Sequence, residues 1–214
     1  MPSGLLGRDF FARPTPQVAR ELIGCRLVVD RGGADEVVAT LVEVEAYLGL
    51  ADPASHAHRG PTPRAAIMFG PAGHLYVYLS YGVHHCANLV TESDGVAGAV
   101  LLRSAVVESG EAAVRARRGA YPVRRAVMAA GTARVIPHRD LLRGPGNLCR
   151  GLAIDLAGNG LDVVSAASRL EVFAGDHRVP IVSGPRVGIS SAMDRPLRFA
   201  WRDHPSVSNP PLTG

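Results

Sequence analysis

The sequence runs to 214 residues, of which 47% are hydrophobic and 20% charged, a balance that excludes an intrinsically disordered chain. No apolar run approaches the roughly 18–20 residues that cross a bilayer, so no membrane partner is expected. Lys and Arg together number 23 against 19 Asp and Glu, and the resulting +4 points to a polyanionic partner.

In chain order, the opening MPSGLLGRDFFARP lacks a basic start followed by a sustained apolar core, so no secretory signal is expected. Thr15-Pro16 followed by QVARELIG predicts a short helix with Thr15 as its cap, Pro16 at its first position and Gly24 at its end. CRLVVD (25–30) reads as a strand closed by a turn at Gly32-Gly33, and EVVATLVEVEAY (36–47) as one long strand rich in β-branched residues. A connection from Leu48 to His74 follows, with a helical turn over 62–69; connections of that length in a compact domain are usually functional or disordered. Strands are predicted over 75–79 and 86–90 around a tight turn at Tyr81-Gly82, and a hairpin turn at Asp94-Gly95 leads into a strand over 97–103. Residues 108–142 read as helical and basic, interrupted at Tyr121-Pro122, and a further helix starts at Pro145. Short strands are expected around 170–173, 179–183 and 197–201. The succession of tight turns predicts an antiparallel sheet in place of alternating βαβ units, and no composition shift divides the chain.

Residues two apart on a strand share a face, so Glu43, Glu45 and Tyr47 are expected to project together, opposite Val42, Val44 and Ala46. A carboxylate at a strand end beside an aromatic ring suits a general base next to a flat substrate. Taken alone, the stretch reads better as the solvent-facing side of an edge strand. The tyrosines shift that balance. Only 5% of residues are aromatic, yet Tyr47, Tyr76, Tyr78 and Tyr81 cluster, with Tyr76 and Tyr78 on one strand face. Such a platform can stack a nucleobase at roughly 1–3 kcal/mol per base, although tyrosines in this pattern also simply pack sheets.

His56, His58, His84 and His85 lack HxxxH or paired-cysteine spacing, so no metal site is expected, and contact with substrate is the better use of a ring nitrogen. Cys25, Cys86 and Cys149 are odd in number and far apart, which argues against a disulfide framework and suits a reducing cytoplasm. Arg115, Arg117, Arg118, Arg124 and Arg125 read as a solvated helix face, whereas Arg103 ends GAVLLR as a lone guanidinium poised for a phosphate. The chain has no lysine, which codon bias explains; chemically, no side-chain amine is available for a Schiff base.

The stretches LVEVEAYLG (41–49), SHAHRGPTPR (55–64), MFGPAGHLYVYLSYGVHHCAN (68–88), GAVLLR (98–103), GPGNLCRGLAID (144–155) and GPRVGI (184–189) resemble, in order and spacing, the alkyladenine (3-methyladenine) DNA glycosylase family. The resemblance runs from Thr15 to Ser208, and its specificity lies in the combination, not in any one piece. It implies a mixed α/β (α+β) fold: a single domain, residues 1–214, with a curved antiparallel β-sheet flanked by helices. It implies a DNA glycosylase that flips alkylated or deaminated purines (3-methyladenine, 7-methylguanine, ethenoadenine, hypoxanthine) out of duplex DNA, which weakened pairing or stacking makes less costly.

On the family's pattern Glu45 orients and deprotonates the water that attacks the sugar C1′, and Glu43 is structural. Tyr47 forms one side of the base sandwich and His56 with Tyr78 the other, with electron-rich faces that favour cationic purines. Asn88 crowds the 2-amino group of normal guanine. Tyr81 is the wedge that fills the gap left by the flipped nucleotide. Arg103 contacts a phosphate beside that nucleotide, and Arg64 is a second such contact. No cofactor and no metal is implied, water being the co-substrate. The expected protein is a monomer, cytoplasmic or, in a bacterium, nucleoid-associated.

Two positions depart from the pattern. Val83 and His84 stand where the family often has bulky apolar residues, which weakens the wedge, and Asn147 stands where a lysine often follows GPG, which removes a phosphate contact. Bifunctional glycosylases nick DNA through an amine; only the terminal amine is present (on Pro2 if Met1 is removed), so hydrolysis without lyase activity is expected. Two other readings stand beside this one. A catalytically silent sensor of distorted or abasic DNA would need only the basic balance and the tyrosines. A paired-carboxylate sugar hydrolase would use Glu43 and Glu45, but neighbours roughly 6–7 Å apart on one strand face cannot readily flank a glycosidic bond from opposite sides.

Overall fold

The computed structural model describes residues 3–119, 135–175, 178–210 and 212. The chain opens with β1 (Ser3–Leu5), α1 (Arg8–Phe11), α2 (Thr15–Leu22), β2 (Arg26–Val29) and the long β3 (Val37–Tyr47). After the extended connection come β4 (Leu75–Ser80), β5 (His84–Val90), β6 (Ala99–Ser109) and α3 (Glu111–Gly119). The remainder holds α4 (Pro145–Gly151), β7 (Leu170–Ala174), β8 (Ile181–Gly184) and β9 (Arg198–Trp201). Among the described residues all strand pairings are antiparallel and join one nine-stranded sheet in the order β1-β7-β2-β3-β6-β5-β4, with β9 pairing β3 and β8 pairing β9. The sheet curls into a half-barrel, and with the four α-helices of the described residues the fold is α+β.

The β-branched run of β3 lies at the centre of this sheet, not at its edge. One side of β3 pairs with β6 throughout; the other pairs first with β2, over Val37–Thr40, and then with β9, over Glu43–Glu45. The edge-strand expectation is therefore corrected: Glu43 and Glu45 are both fully buried. Where β3 changes partner, its pairing with β6 slips twice. Leu41 opposes Ala105 and Glu43 opposes Ser104, leaving Val42 extra; Val44 then opposes Leu102, leaving Arg103 extra.

These bulges reverse the face of both strands. Val37, Ala39 and Leu41 point into the main core, and after the slip Val44 and Ala46 do; on β6 Val107 and Ala105 give way to Leu102 and Val100. Strict alternation from Leu41 would have sent Glu43, Glu45 and Tyr47 into that core. Val42 does not join Val44 and Ala46 as expected from the sequence, but packs with Val182, Ala200 and Val207 in a separate cluster.

The main core is filled from one face by Phe11, Val18, Ala19 and Leu22 around α2 and by Leu148, Cys149 and Leu152 around α4. Thr15 is the first residue of α2 rather than its cap, which is Pro14. The free helix N-terminus is met by a distant carboxylate: Glu92 accepts from the Thr15 N–H at 2.6 Å and from its hydroxyl at 2.7 Å. β6 runs on to Ser109, past the predicted end at Arg103, because its second half has the whole first half of β3 to pair with. The helical reading of 108–142 is met over α3 but not at Glu108 and Ser109, which belong to β6, nor over 135–142, where only a short 3-10 turn forms at His138–Asp140; Tyr121-Pro122, Arg124 and Arg125 lie outside the described residues.

Candidate active site

The end of β3 delivers its side chains to a cavity of about 550 Å³ enclosed by the loop after β3, the β4–β5 hairpin and the loop between β8 and β9. Gly49 makes the first turn possible. Its φ is 61°, and a Cβ there would meet the Ala97 carbonyl oxygen at 2.2 Å, so the chain passes beside the entry to β6 only as glycine.

Tyr47, His56, Arg64, Tyr78, Asn88 and Arg103 all line this cavity. The His56 and Tyr78 rings meet edge to face with centroids 4.6 Å apart, and His56 Nδ1 lies 2.9 Å from the Tyr76 hydroxyl. Burial and the neighbouring Arg64 charge push the His56 imidazole down to about 4, so it is neutral at pH 7 although solvent reaches it through the cavity mouth. The Arg64 guanidinium sits 4.7 Å from the Tyr78 ring centroid. Asn88 is fixed by donating its amide N–H to the Tyr76 carbonyl at 3.0 Å.

Tyr81 also borders the cavity and is 90% exposed. It sits at the hairpin tip with φ 49°, a left-handed conformation that costs a residue with a Cβ about 1–2 kcal/mol. Leu79 and Val83 beside it are exposed as well, so the tip presents apolar side chains to solvent.

Glu45 lies behind the lining, and three lining residues bond it. Tyr47 donates its hydroxyl to Oε2 at 2.9 Å, the Val187 N–H donates to Oε1 at 2.7 Å, and Arg103 Nη1 lies 3.1 Å from Oε1. Burial pushes the Glu45 carboxyl above its ordinary value; the Arg103 charge and the two hydrogen bonds oppose that rise without cancelling it. Burial likewise pushes the Tyr47 hydroxyl up, so it remains a donor.

Glu43 is surrounded differently. Its Oε1 accepts from Arg103 Nε at 2.7 Å, Arg198 Nε at 2.8 Å and the Ser208 hydroxyl at 2.8 Å; its Oε2 accepts from the Ser104 hydroxyl at 3.0 Å and the Ser208 N–H at 2.6 Å. Burial raises its pKa, but Arg103, Arg198 and the Ser208 N–H outweigh burial and hold it below the usual carboxylate range. Five donors fill a carboxylate that offers about four lone-pair sites, so Glu43 has nothing left with which to take a proton. Arg103 is accordingly not the lone guanidinium expected from the sequence: it is buried and paired with two carboxylates, although it still reaches the cavity.

Residues that the sequence reading assigned no role complete the site. Arg186 holds its guanidinium 4.6 Å from the Tyr47 ring centroid and forms a buried bidentate pair with Asp52, with 2.8 Å between Nη2 and Oδ1. The same arginine donates to the Ala46 carbonyl at 3.0 Å, which ties the loop before β9 to the end of β3. GPRVGI was the available signal for Arg186 and Val187, and the proximity of LGLAD to β3 for Asp52. Arg198 and Ser208 had none. Among the described residues, no group of three or more His, Cys, Asp or Glu side chains is placed to hold a metal ion.

Fold and cavity define an α+β protein whose aromatic pocket stands over a buried, arginine-paired carboxylate. Residues 9–205 match the methylpurine-DNA glycosylase family, and the chain belongs to that family. It is 47% identical over 195 residues to a Mycobacterium sp. (strain KMS) protein provisionally named a 3-methyladenine DNA glycosylase, covering 89% of this chain and 86% of the relative. A relative of the same provisional name from Rhodopseudomonas palustris (strain ATCC BAA-98 / CGA009) is 44% identical over 209 residues, covering 96% and 89%. One from Methanocella arvoryzae is 40% identical over 207 residues, covering 95% and 96%.

Proposed function

We propose that this chain is a monofunctional DNA glycosylase of base excision repair. It flips alkylated or deaminated purines (3-methyladenine, 7-methylguanine, ethenoadenine, hypoxanthine) out of duplex DNA and hydrolyses the N-glycosidic bond, leaving an abasic site. The observation that carries this reading is Glu45 behind an aromatic cavity, its carboxylate hydrogen-bonded by Tyr47 and the Val187 N–H, ion-paired with Arg103 and left, among the described residues, with a free lone pair on Oε2.

The proposed chemistry follows from that arrangement. Water attacks C1′ as the C1′–N bond breaks, its proton passes to Glu45 Oε2, and the bonding electrons leave with the base. A cationic purine departs neutral and needs no acid. Tyr47 stacks on one face of the base while His56 and Tyr78 take the other, and Asn88 stands where the 2-amino group of guanine would be crowded. Arg64 faces a phosphate beside the flipped nucleotide, Arg103 borders the same cavity while paired with Glu43 and Glu45, and exposed Tyr81 enters the gap in the duplex. The chain acts as a monomer and as a single domain. Without lysine it has no side-chain amine for a Schiff base, which supports hydrolysis without strand cleavage.

The complete burial of Glu45 favours a second reading, a catalytically silent sensor of distorted or abasic DNA. Single-turnover excision on duplexes carrying hypoxanthine, ethenoadenine or 7-methylguanine, with and without subsequent alkali, separates the two. The expected result is strand breaks only after alkali. Breaks without alkali would point to a lyase using the terminal amine, and tight binding with no base released would establish the sensor.

A further inference from the structure

Arg103 presents its guanidinium to two carboxylates on the same strand, and its three nitrogens are used separately. Nε donates to Glu43 at 2.7 Å, Nη2 donates to the Ser208 hydroxyl at 2.9 Å, and Nη1 lies 3.1 Å from Glu45. Because a guanidinium is planar and rigid, fixing two of its nitrogens fixes the third. Glu43 and Ser208 are themselves joined twice, through the Ser208 N–H at 2.6 Å and its hydroxyl at 2.8 Å.

The frame behind them is equally closed. Arg198, on β9, donates to Glu43 at 2.8 Å and to the Ser208 carbonyl at 2.8 Å. Arg143 donates to the Val207 carbonyl at 2.8 Å, so the segment after β9 is held by a second arginine as well. Glu43, Glu45, Arg103 and Arg198 make a balanced set of four buried charges when Glu45 is ionised.

We infer that Glu43 and Ser208 are positioning residues for excision: together they clamp Arg103 so that its Nη1 is held against Oε1 of Glu45. With Oε1 hydrogen-bonded by the Val187 N–H and drawn toward the Arg103 charge, the carboxylate is turned so that Oε2, bonded by Tyr47 alone among the described residues, keeps a lone pair free. Ser208, from the chain past the last strand, thereby governs the geometry of a residue in the middle of the sheet. The inference rests on Glu45 being the base.

The test measures single-turnover excision of the fastest-released lesion by Ser208→Ala, Ser208→Thr, Glu43→Gln and Glu45→Gln. The rate constant at saturating enzyme and the half-saturating enzyme concentration are read separately, since loss of folded protein raises only the second. Ser208→Ala, which changes no charge, is expected to lower the rate constant about tenfold, the effect of a lost hydrogen bond to a charged group. Its half-saturating concentration should stay put, Ser208→Thr should recover the rate by restoring the hydroxyl, and Glu43→Gln should lose more than Ser208→Ala. If Glu45→Gln is dead while Ser208→Ala and Glu43→Gln keep the unmodified rate constant, the clamp is only structural and the inference is overturned alone. If Glu45→Gln itself excises normally, the base assignment falls and the inference falls with it.

Discussion

Glu43 and Glu45 are two residues apart on one strand, carry the same carboxylate and are buried to the same degree, yet their surroundings make them different acids. Glu43 is saturated by five donors that include two arginines, and its charge is held by the fold. Glu45 has two hydrogen-bond donors, an ion pair with the arginine it shares with its neighbour, and a charge that burial opposes. The difference separates structure from chemistry: a carboxylate with every lone pair engaged can anchor a framework, while one with an unused lone pair and a raised pKa can accept a proton.

The comparison breaks most sharply at Glu45→Gln. An amide cannot take a proton from water, and general-base catalysis contributes about 10²–10⁴-fold, so excision is expected to fall by roughly that factor while lesion-DNA binding persists. Normal excision by this variant would show that the proton goes elsewhere. Glu43→Gln has the opposite profile. Neutralising it leaves Arg103 and Arg198 buried with one carboxylate between them, and breaking a buried pair typically costs about 3–5 kcal/mol. Denaturant unfolding measures that loss, and an unchanged midpoint would mean that the network contributes little to the fold.

Tyr47→Phe sharpens the contrast without touching either carboxylate. The ring remains to stack a base, but the 2.9 Å hydrogen bond that holds the ionised form of Glu45 is gone. The acid limb of the excision–pH profile is therefore expected to move to higher pH. A limb that stays in place would show that Oε2 draws its stabilisation from another donor.

Strand positions are legible in the sequence because β-branched runs between turn residues have few alternatives, and the helix beginning at Pro145 announces itself through GPG. The tyrosine cluster and the EAY stretch likewise lead to residues that share one cavity. Two features escape the reading for a physical reason. The paired bulges at Val42 and Arg103 depend on β3 changing partner from β2 to β9, a long-range event that local alternation does not encode. Burial of Glu43 and Glu45 escapes for the same reason, because an acidic pair on an alternating strand looks solvated until Arg103, Arg198 and Ser208 arrive from 60, 155 and 165 residues away. The Thr15 cap fails similarly: the oxygen that serves the helix N-terminus is supplied by Glu92, 77 residues on.

The smallest expected effect is also the most direct measure of the two environments. Glu43 has a lowered folded pKa, so its contribution to stability is complete above the ordinary value of 4.5 and is lost as pH falls through the lower folded value. Glu45 has a raised folded pKa, so the sign reverses: a penalty begins as pH rises past 4.5 and is complete above the folded value. Glu45→Gln removes only the second contribution. Its stability relative to the unmodified protein should therefore grow with pH from about 4.5 upward and then level off, as urea unfolding at a series of pH values would show. A difference that is flat with pH would mean that Arg103, Tyr47 and the Val187 N–H cancel the effect of burial, leaving Glu45 as comfortable in its charge as Glu43.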